Sequence, residues 1–510
     1  MTYLPAAAQE LIAKCRWFLQ SRRKLILATS VTLVLTLRAL KFMKRPKVDL
    51  HARFGGPNRF LPLGLLSRSR ERFHHALEIF ADTYGGVYCI KDILEDVVVV
   101  SDPKLVRQVL AERPNTYIRR LNKVNVQPFT GMVTTEGEKW KRNRRLGAPA
   151  FNDVNSAAMV PDMARVAKKL VRQLSSLSQD GRTVWSPTEW IPLCTLDTLC
   201  VTCFGNDFNF LNPDGNALGR SSQEVQQALK DTIVGSGHAS LLSIFPWMTR
   251  DRFPWNLNPF IKKLHLGIKR LNELCDEIAS GRQAERQAGV QASRRDLLDK
   301  LLHLDQEDLR GNIITFFIAG SDTSAMTVAW CLYYLCLNPC IQSEARGEVD
   351  ALGHDPETME DLNLVPYIEC CVLEALRLQP PSAFLLHECI ADTSLNGKTV
   401  PPGTVVITLI RKAMVTTSQG GTIFRPERWL SRDGSAVDRT RAREHLAFGG
   451  GPRQCPGQNM AIIEATIVVA LILRHFDGLR LRNTPENVRG EIKLTYGPKN
   501  LEVVMSQRDS

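Results

Sequence analysis

The chain has no disulfide framework. Its 13 cysteines are an odd number without regular spacing, which argues against an exported scaffold held by paired bridges. The pattern fits a reducing compartment with free, mostly buried thiols. Cys200 and Cys203 form a lone CxxC on an apolar stretch, and Cys370-Cys371 is an adjacent pair; both read as core rather than redox sites. No low-complexity tract interrupts the chain, and no nucleic-acid motif accompanies its formal charge of +12. That charge therefore points to a membrane surface or an acidic protein partner, not to nucleic acid. With 510 residues, 44% hydrophobic and 23% charged, the chain can bury a large core, in one big domain or two.

A full-length apolar run near the N-terminus is also missing. Leu25 to Leu37 holds 13 apolar and hydroxyl residues, whereas a spanning helix wants roughly 20. Ala39 and Leu40 extend the run to 25–40 if Arg38 reaches back to the interface. Arg22, Arg23 and Lys24 precede it; Arg38, Lys41, Lys44, Arg45 and Lys47 follow. No small-residue cleavage site follows, so a cleaved secretory signal fits poorly. Glu10 is the single acid in the first 48 residues, a composition that also suits a mitochondrial presequence. We read residues 1–48 as a single membrane anchor with a basic flank, and a mitochondrial location as the alternative. The bases after the run put the main domain on the cytosolic side. Gly55, Gly56, Pro57, Pro62 and Gly64 mark a hinge over 49–64, and 65–510 forms the main domain.

The most informative segment is Phe448-Gly449-Gly450-Gly451-Pro452-Arg453-Gln454-Cys455-Pro456-Gly457. A thiolate that binds a metal must be kept ionised and sheltered. Glycines let backbone amides approach it. Pro456 suits the first turn of a helix, and Asn459 to Leu473 reads as that helix, apolar and buried. Cys455 then sits at a helix N-terminus, where the dipole favours negative charge. Arg453 suits bidentate contact with a carboxylate. A haem offers both partners, an iron for the thiolate and propionates for the arginine. For Cys455 alone, a buried structural cysteine in a Gly-rich turn is the simpler reading.

The whole decapeptide resembles the haem-thiolate loop of cytochromes P450 at every fixed position: Phe448, Gly449, Gly451, Arg453, Cys455 and Gly457. Four further motifs follow the family's order. Trp140 and Arg144 lie i, i+4 on one helix face within Gly137 to Phe151. Read alone, that segment is a basic surface helix; the resemblance assigns both residues to a haem propionate. Gly311 to Leu337 reads as a long buried helix containing Ala319-Gly320-Ser321-Asp322-Thr323, which resembles the family's oxygen-binding helix. A buried Asp and Thr need partners, and Gly320 leaves room for a small ligand. The resemblance implies that Thr323 orients dioxygen and water and that Asp322 feeds protons. Ser324 stands where many members carry a second Thr.

Glu374 and Arg377 form E-x-x-R in the helical run Ile368 to Leu378. Alone this is weak, but Glu374 follows Thr323 by 51 residues and precedes Cys455 by 81. Phe424 to Trp429 looks like the family's PERF/PERW segment, where Arg428 completes a buried Glu-Arg-Arg network that fixes geometry. Two departures stand out. Where the family has an arginine for a propionate after the E-x-x-R helix, the nearest match here is His387. The segment Arg411 to Phe424 is short and lacks the usual tryptophan. Phe245-Pro246-Trp247 and Phe253-Pro254-Trp255 read as an apolar lid touching the membrane. Phe316, Phe317, Ala319 and Pro381 to Phe384 are candidate pocket lining.

The resemblance implies a mainly α fold with a smaller β-rich region, a haem b cofactor and a monooxygenase acting on a lipophilic small molecule. Electrons must come from outside, because no flavin or iron–sulfur domain is recognisable. NADPH-cytochrome P450 reductase, with cytochrome b5, is the expected donor at the endoplasmic reticulum. The rivals are an isomerase or dehydratase of lipid hydroperoxides on the same fold, a non-enzymatic haem-binding protein, and a pseudoenzyme that fails to hold haem. Asp322 and Thr323 count against the first two, and the shortened segment before Phe424 favours the third.

Overall fold

The computed structural model describes residues 49–57, 73–91, 96–120, 129–179, 181–212, 216–217, 220–221, 224–232, 259–289, 296–416 and 421–508. The predicted anchor, residues 58–64 of the hinge and the aromatic lid at 245–255 lie outside them. The main helices are α1 (Phe73–Tyr84), α2 (Pro103–Ala111), α3 (Gly137–Gly147), α4 (Val160–Ser176), α5 (Pro187–Phe204), α6 (Pro259–Gln287), α7 (Gln306–Leu337), α8 (Pro339–Leu352), α9 (Pro366–Leu378) and α10 (Gln458–His475). The fold is mainly α, as expected.

Helices α7 and α10 have no polar face, so each must be covered on all sides. Around α7 pack α5, α6, α9 and α10, and their apolar side chains make one large core. Asp305 caps α7 by accepting from the Asp308 N–H, and Pro339 opens α8 directly after Asn338. Among the described residues α7 and α10 are long and apolar enough to cross a membrane, yet both are core helices.

Five strands form the larger sheet: β1 (Val87–Lys91), β2 (Asp96–Val100), β3 (Tyr117–Arg119), β4 (Leu385–Cys389) and β5 (Val405–Thr408). Their order is β1-β2-β5-β4-β3, antiparallel except for the β2–β5 pair. The unbroken valine run of β2 follows from burial on both faces. Val98 and Val100 join a cluster with Leu110, Leu50 and Phe54, while Val97 and Val99 pack with Leu77 of α1. Residues 49–57, the first part of the predicted hinge, pack against this sheet. They hold the short helix Leu50–Phe54, and a Cβ on Gly56 would lie 2.0 Å from the Cys89 carbonyl oxygen. Smaller β elements join Phe476–Leu481 with Val503–Gln507 and Arg182–Trp185, and Arg489–Ile492 with Tyr496–Lys499. The short segment before Phe424 begins as a helix, Ile410–Thr416, and 417–420 lie outside the described residues.

Candidate active site

The glycine-rich segment brings Cys455 to a cavity of about 330 Å³ between α3, α7 and α10. Gly449 and Gly451 have φ of 76° and 64°, values that glycine reaches without strain. A Cβ on Gly451 would lie 2.4 Å from the Leu110 carbonyl oxygen, so the loop presses directly on α2. The Cys455 N–H donates to the Phe448 carbonyl at 2.9 Å and closes the loop. Gly457 is the N-cap of α10, so Pro456 precedes the helix instead of occupying its first turn. Burial raises the Cys455 thiol, opposed by a Gly457 N–H, Arg144 and Arg119.

A cationic wall faces that sulfur. Trp140 and Arg144 both line the cavity from α3, as their spacing predicts, together with Phe448, Gly449, Gly457 and Arg453. The Arg453 guanidinium lies 3.9 Å over the Trp140 ring. It donates to the Thr135 carbonyl at 3.0 Å and pairs with Glu136, yet its Nε has no partner among the described residues. Burial pushes its pKa down to about 10, against Glu136.

Two arginines that the sequence reading missed complete the wall. Arg113 and Arg119 both line the cavity. Arg113 has Nε and Nη2 buried without partners among the described residues, and Arg119 has Nε. Burial lowers both pKa values, Arg113 to about 9. His387, the expected replacement for an arginine, does not reach this cavity. Its Nε2 lies 3.0 Å from Thr408 Oγ1 across the β4–β5 pair, and it lines an adjoining cavity instead. Burial, Arg113 and Arg119 push its pKa well below the usual range.

Helix α7 supplies Phe316, Ala319, Gly320, Thr323 and Ser324 to the opposite wall. Phe317 does not contribute; it packs on Phe204, ring centroids 5.2 Å apart. The space beside Gly320 is taken on one side by Leu199, 2.9 Å from where a Cβ would stand, so its smallness serves helix packing as well as any ligand. Thr323 Oγ1 donates to the Ala319 carbonyl at 2.7 Å. Asp322 turns away from the cavity, because adjacent helical residues diverge, and accepts from Thr495. Burial raises its pKa, opposed by Thr495 and Lys493. One more acid was missed: Glu464 of α10 lines the cavity, and burial pushes it up to about 8 against Ser324 and Thr198.

Behind the cavity, Glu374 receives the predicted network and more. Arg377 donates Nε at 2.9 Å and Nη2 at 2.8 Å, and Arg428 donates Nε at 3.0 Å. The Arg425 N–H and Trp429 Nε1 add bonds of 3.0 and 2.9 Å. Burial works to raise the Glu374 pKa, but these donors outweigh it and hold it low. None of the three predicted members lines the cavity. Cys200, Cys203, Cys370 and Cys371 are free and buried, consistent with core.

Comparison with known proteins gives the same direction. The family profile for cytochrome P450 matches residues 55–505. Cytochrome P450 4d1 of Drosophila melanogaster is 27% identical over 488 residues, covering 89% of this chain and 92% of that protein. Protein LUTEIN DEFICIENT 5, chloroplastic, of Arabidopsis thaliana is 25% identical over 430 residues, covering 80% and 70%. Cytochrome P450 4c21 of Blattella germanica is 26% identical over 405 residues, covering 74% and 77%.

Proposed function

This chain belongs to the cytochrome P450 family, and on that premise we propose that it oxidises lipophilic small molecules at the endoplasmic reticulum with Cys455 as its axial thiolate. The family makes it a haem-thiolate monooxygenase with a cysteine as axial ligand. The residues of the cavity fit that cofactor. A sulfur opens into it, Phe151 and Phe316 give it flat apolar walls with ring centroids 5.4 Å apart, and guanidinium nitrogens around it lack acceptors among the described residues. An anionic ring with acid groups supplies what those nitrogens lack. The observation that carries the reading is Cys455 at the start of α10 beneath this cationic wall.

When bound, haem activates dioxygen, delivering one oxygen atom to the substrate and the other to water. The protein's own part is to hold and to hand over protons. Arg453, Trp140 and Arg144 would hold the haem propionates. Phe448, Gly449 and Gly457 shape the floor, and Ala319 and Gly320 keep the opposite wall low. Thr323 directs its own proton to the Ala319 carbonyl, which leaves its oxygen lone pairs for a water in the cavity. Asp322 retains a proton more readily than an exposed acid and holds it beside Thr495, away from the apolar pocket. Glu374, Arg377 and Arg428 keep α9 and the segment before the cysteine loop in register.

Electrons come from an external donor, for which NADPH-cytochrome P450 reductase and cytochrome b5 are our candidates. Lys104, Arg107, Arg425 and Arg441 ring a surface depression next to Leu446, which suits an acidic partner near the cysteine loop. The apolar run at 25–40 with its basic flanks is our basis for a membrane anchor and a cytosolic main domain. The test is NADPH consumption by the holoprotein with reductase and a panel of lipophilic compounds. Product carrying one oxygen from labelled O₂ is expected; turnover of hydroperoxides without reductase would overturn the reading.

A further inference from the structure

A second cavity, of about 240 Å³, adjoins the first, and Pro381, Ser382 and Leu385 line both. Its walls mix apolar residues such as Phe384 and Ile492 with His387 and Tyr496. Tyr496 opens the strand Tyr496–Lys499, and its N–H donates to the Pro381 carbonyl at 2.8 Å.

A row of aromatic rings starts at this wall. The Trp330 ring lies 5.6 Å from that of Tyr496, and the Tyr333 ring lies 5.5 Å beyond Trp330. The Trp330 indole N–H also donates to the Tyr496 carbonyl at 3.2 Å. Tyr496 and Trp330 are buried, and Tyr333 is half-buried. On α7, Trp330 stands at i+7 from Thr323 and i+3 from Thr327, and both threonines line the main cavity. Trp330 therefore shares their helix face, about 10 Å along the axis from Thr323. Packing alone accounts for rings in contact.

Packing does not account for the partner of the Tyr496 hydroxyl. That oxygen lies 3.4 Å from His75 Nε2, and His75 Nδ1 lies 3.8 Å from Glu78, which also pairs with Arg411. A proton on Nδ1, held by Glu78, makes Nε2 an acceptor for the phenol proton. The His75 side chain is 43% exposed, so a proton taken there can pass to water. Burial raises the Tyr496 pKa, so its proton leaves together with an electron rather than by ionisation.

We propose that Tyr496, with His75 as its proton acceptor, and Tyr333, through Trp330, are electron donors that discharge the active site when reduced oxygen finds no substrate there. This rests on the main cavity being the haem site. Dioxygen that has received two electrons from the redox partner stands at the level of hydrogen peroxide. Two more electrons and two protons take it to two waters. A substrate C–H bond supplies those electrons in monooxygenation. Without substrate, each tyrosine gives one electron and one proton and becomes a neutral phenoxyl radical. The Tyr496 proton goes to His75 and the Tyr333 proton to water, while the Tyr333 electron crosses Trp330.

The test uses the full-length holoprotein, ferric and free of substrate, mixed with one equivalent of peroxybenzoic acid. This oxidant takes the same two electrons and two protons and becomes benzoic acid and water. Samples are frozen within milliseconds and read by electron paramagnetic resonance. A neutral tyrosyl signal is expected, narrowed when the protein carries ring-deuterated tyrosine. Tyr496→Phe should halve the spins per haem, because one of two donors is lost, and Tyr496→Phe combined with Trp330→Phe should remove nearly all of them. His75→Leu, a change at an exposed side chain, should keep the thiolate carbon monoxide band yet form the radical at least about tenfold more slowly. No tyrosyl signal in the unaltered protein, an undiminished signal in Tyr496→Phe, or an unchanged rate in His75→Leu overturns the proposal. Absence of the thiolate band in the unaltered protein would instead overturn the haem-site reading beneath it.

Discussion

Glu374 and Arg453 each anchor a buried group of arginines, and the two groups are finished to different degrees. Around Glu374, two guanidiniums, an indole N–H and a backbone N–H meet one carboxylate, and the remaining Arg377 nitrogen bonds to the Gly421 carbonyl at 2.7 Å. Around Arg453, four guanidiniums face one carboxylate, and Arg113, Arg119 and Arg453 keep nitrogens without acceptors among the described residues. We read that difference as one of purpose. A cluster that the chain closes by itself is scaffold; a cluster it leaves open is completed by a ligand.

The sharpest break of this comparison is Glu374→Ala. It strands Arg377 and Arg428 without their counter-charge, and a loss of about 3–5 kcal/mol is expected, read by denaturant unfolding or by loss of folded protein. Arg144→Met should do the reverse. The apoprotein should unfold at the same denaturant concentration or a higher one, while haem leaves about ten times faster in transfer to a haem-scavenging protein, for a lost charged hydrogen bond of about 1.5–3 kcal/mol. If Arg144→Met destabilises the apoprotein as Glu374→Ala does, the distinction between the two clusters fails.

A smaller effect sharpens the scaffold side. His445 stacks on Trp429 at 4.9 Å, and burial pushes its pKa down to about 4 against the Leu373 carbonyl. Because the folded value lies below the unfolded one, the unfolded chain takes up the proton first. His445 therefore contributes fully above pH 6.5, and that contribution is lost as pH falls toward about 4, by roughly 3 kcal/mol in all. His445→Phe should flatten that part of the stability–pH curve. The smallest structural change is Thr323→Ala, which should leave haem bound and folding intact. Product formed per NADPH should still fall by about tenfold; full coupling would remove Thr323 from proton handling.

Much of this was legible locally. The helix with Trp140 and Arg144 on one face, the Glu374–Arg377 pair and the Cys455 loop all lie within a few turns of chain, where periodicity and glycine placement speak directly. What escaped depends on contacts between distant segments. Asp322 meets Thr495, 173 residues away. Arg113 and Arg119 look like ordinary surface bases until the fold brings them to Arg453. Gly320 reads as room for a ligand because the sequence cannot place Leu199 against it. His387 was matched by order along the chain, but the β4 register turns it toward Thr408.

The most direct test is the reduced carbon monoxide difference spectrum of the full-length protein beside Cys455→Ala. A strongly red-shifted, thiolate-type Soret band that disappears in Cys455→Ala is the predicted result. A band at the histidine-ligated position, or no haem in the unaltered protein, would contradict the claim that haem and Cys455 complete the open cluster.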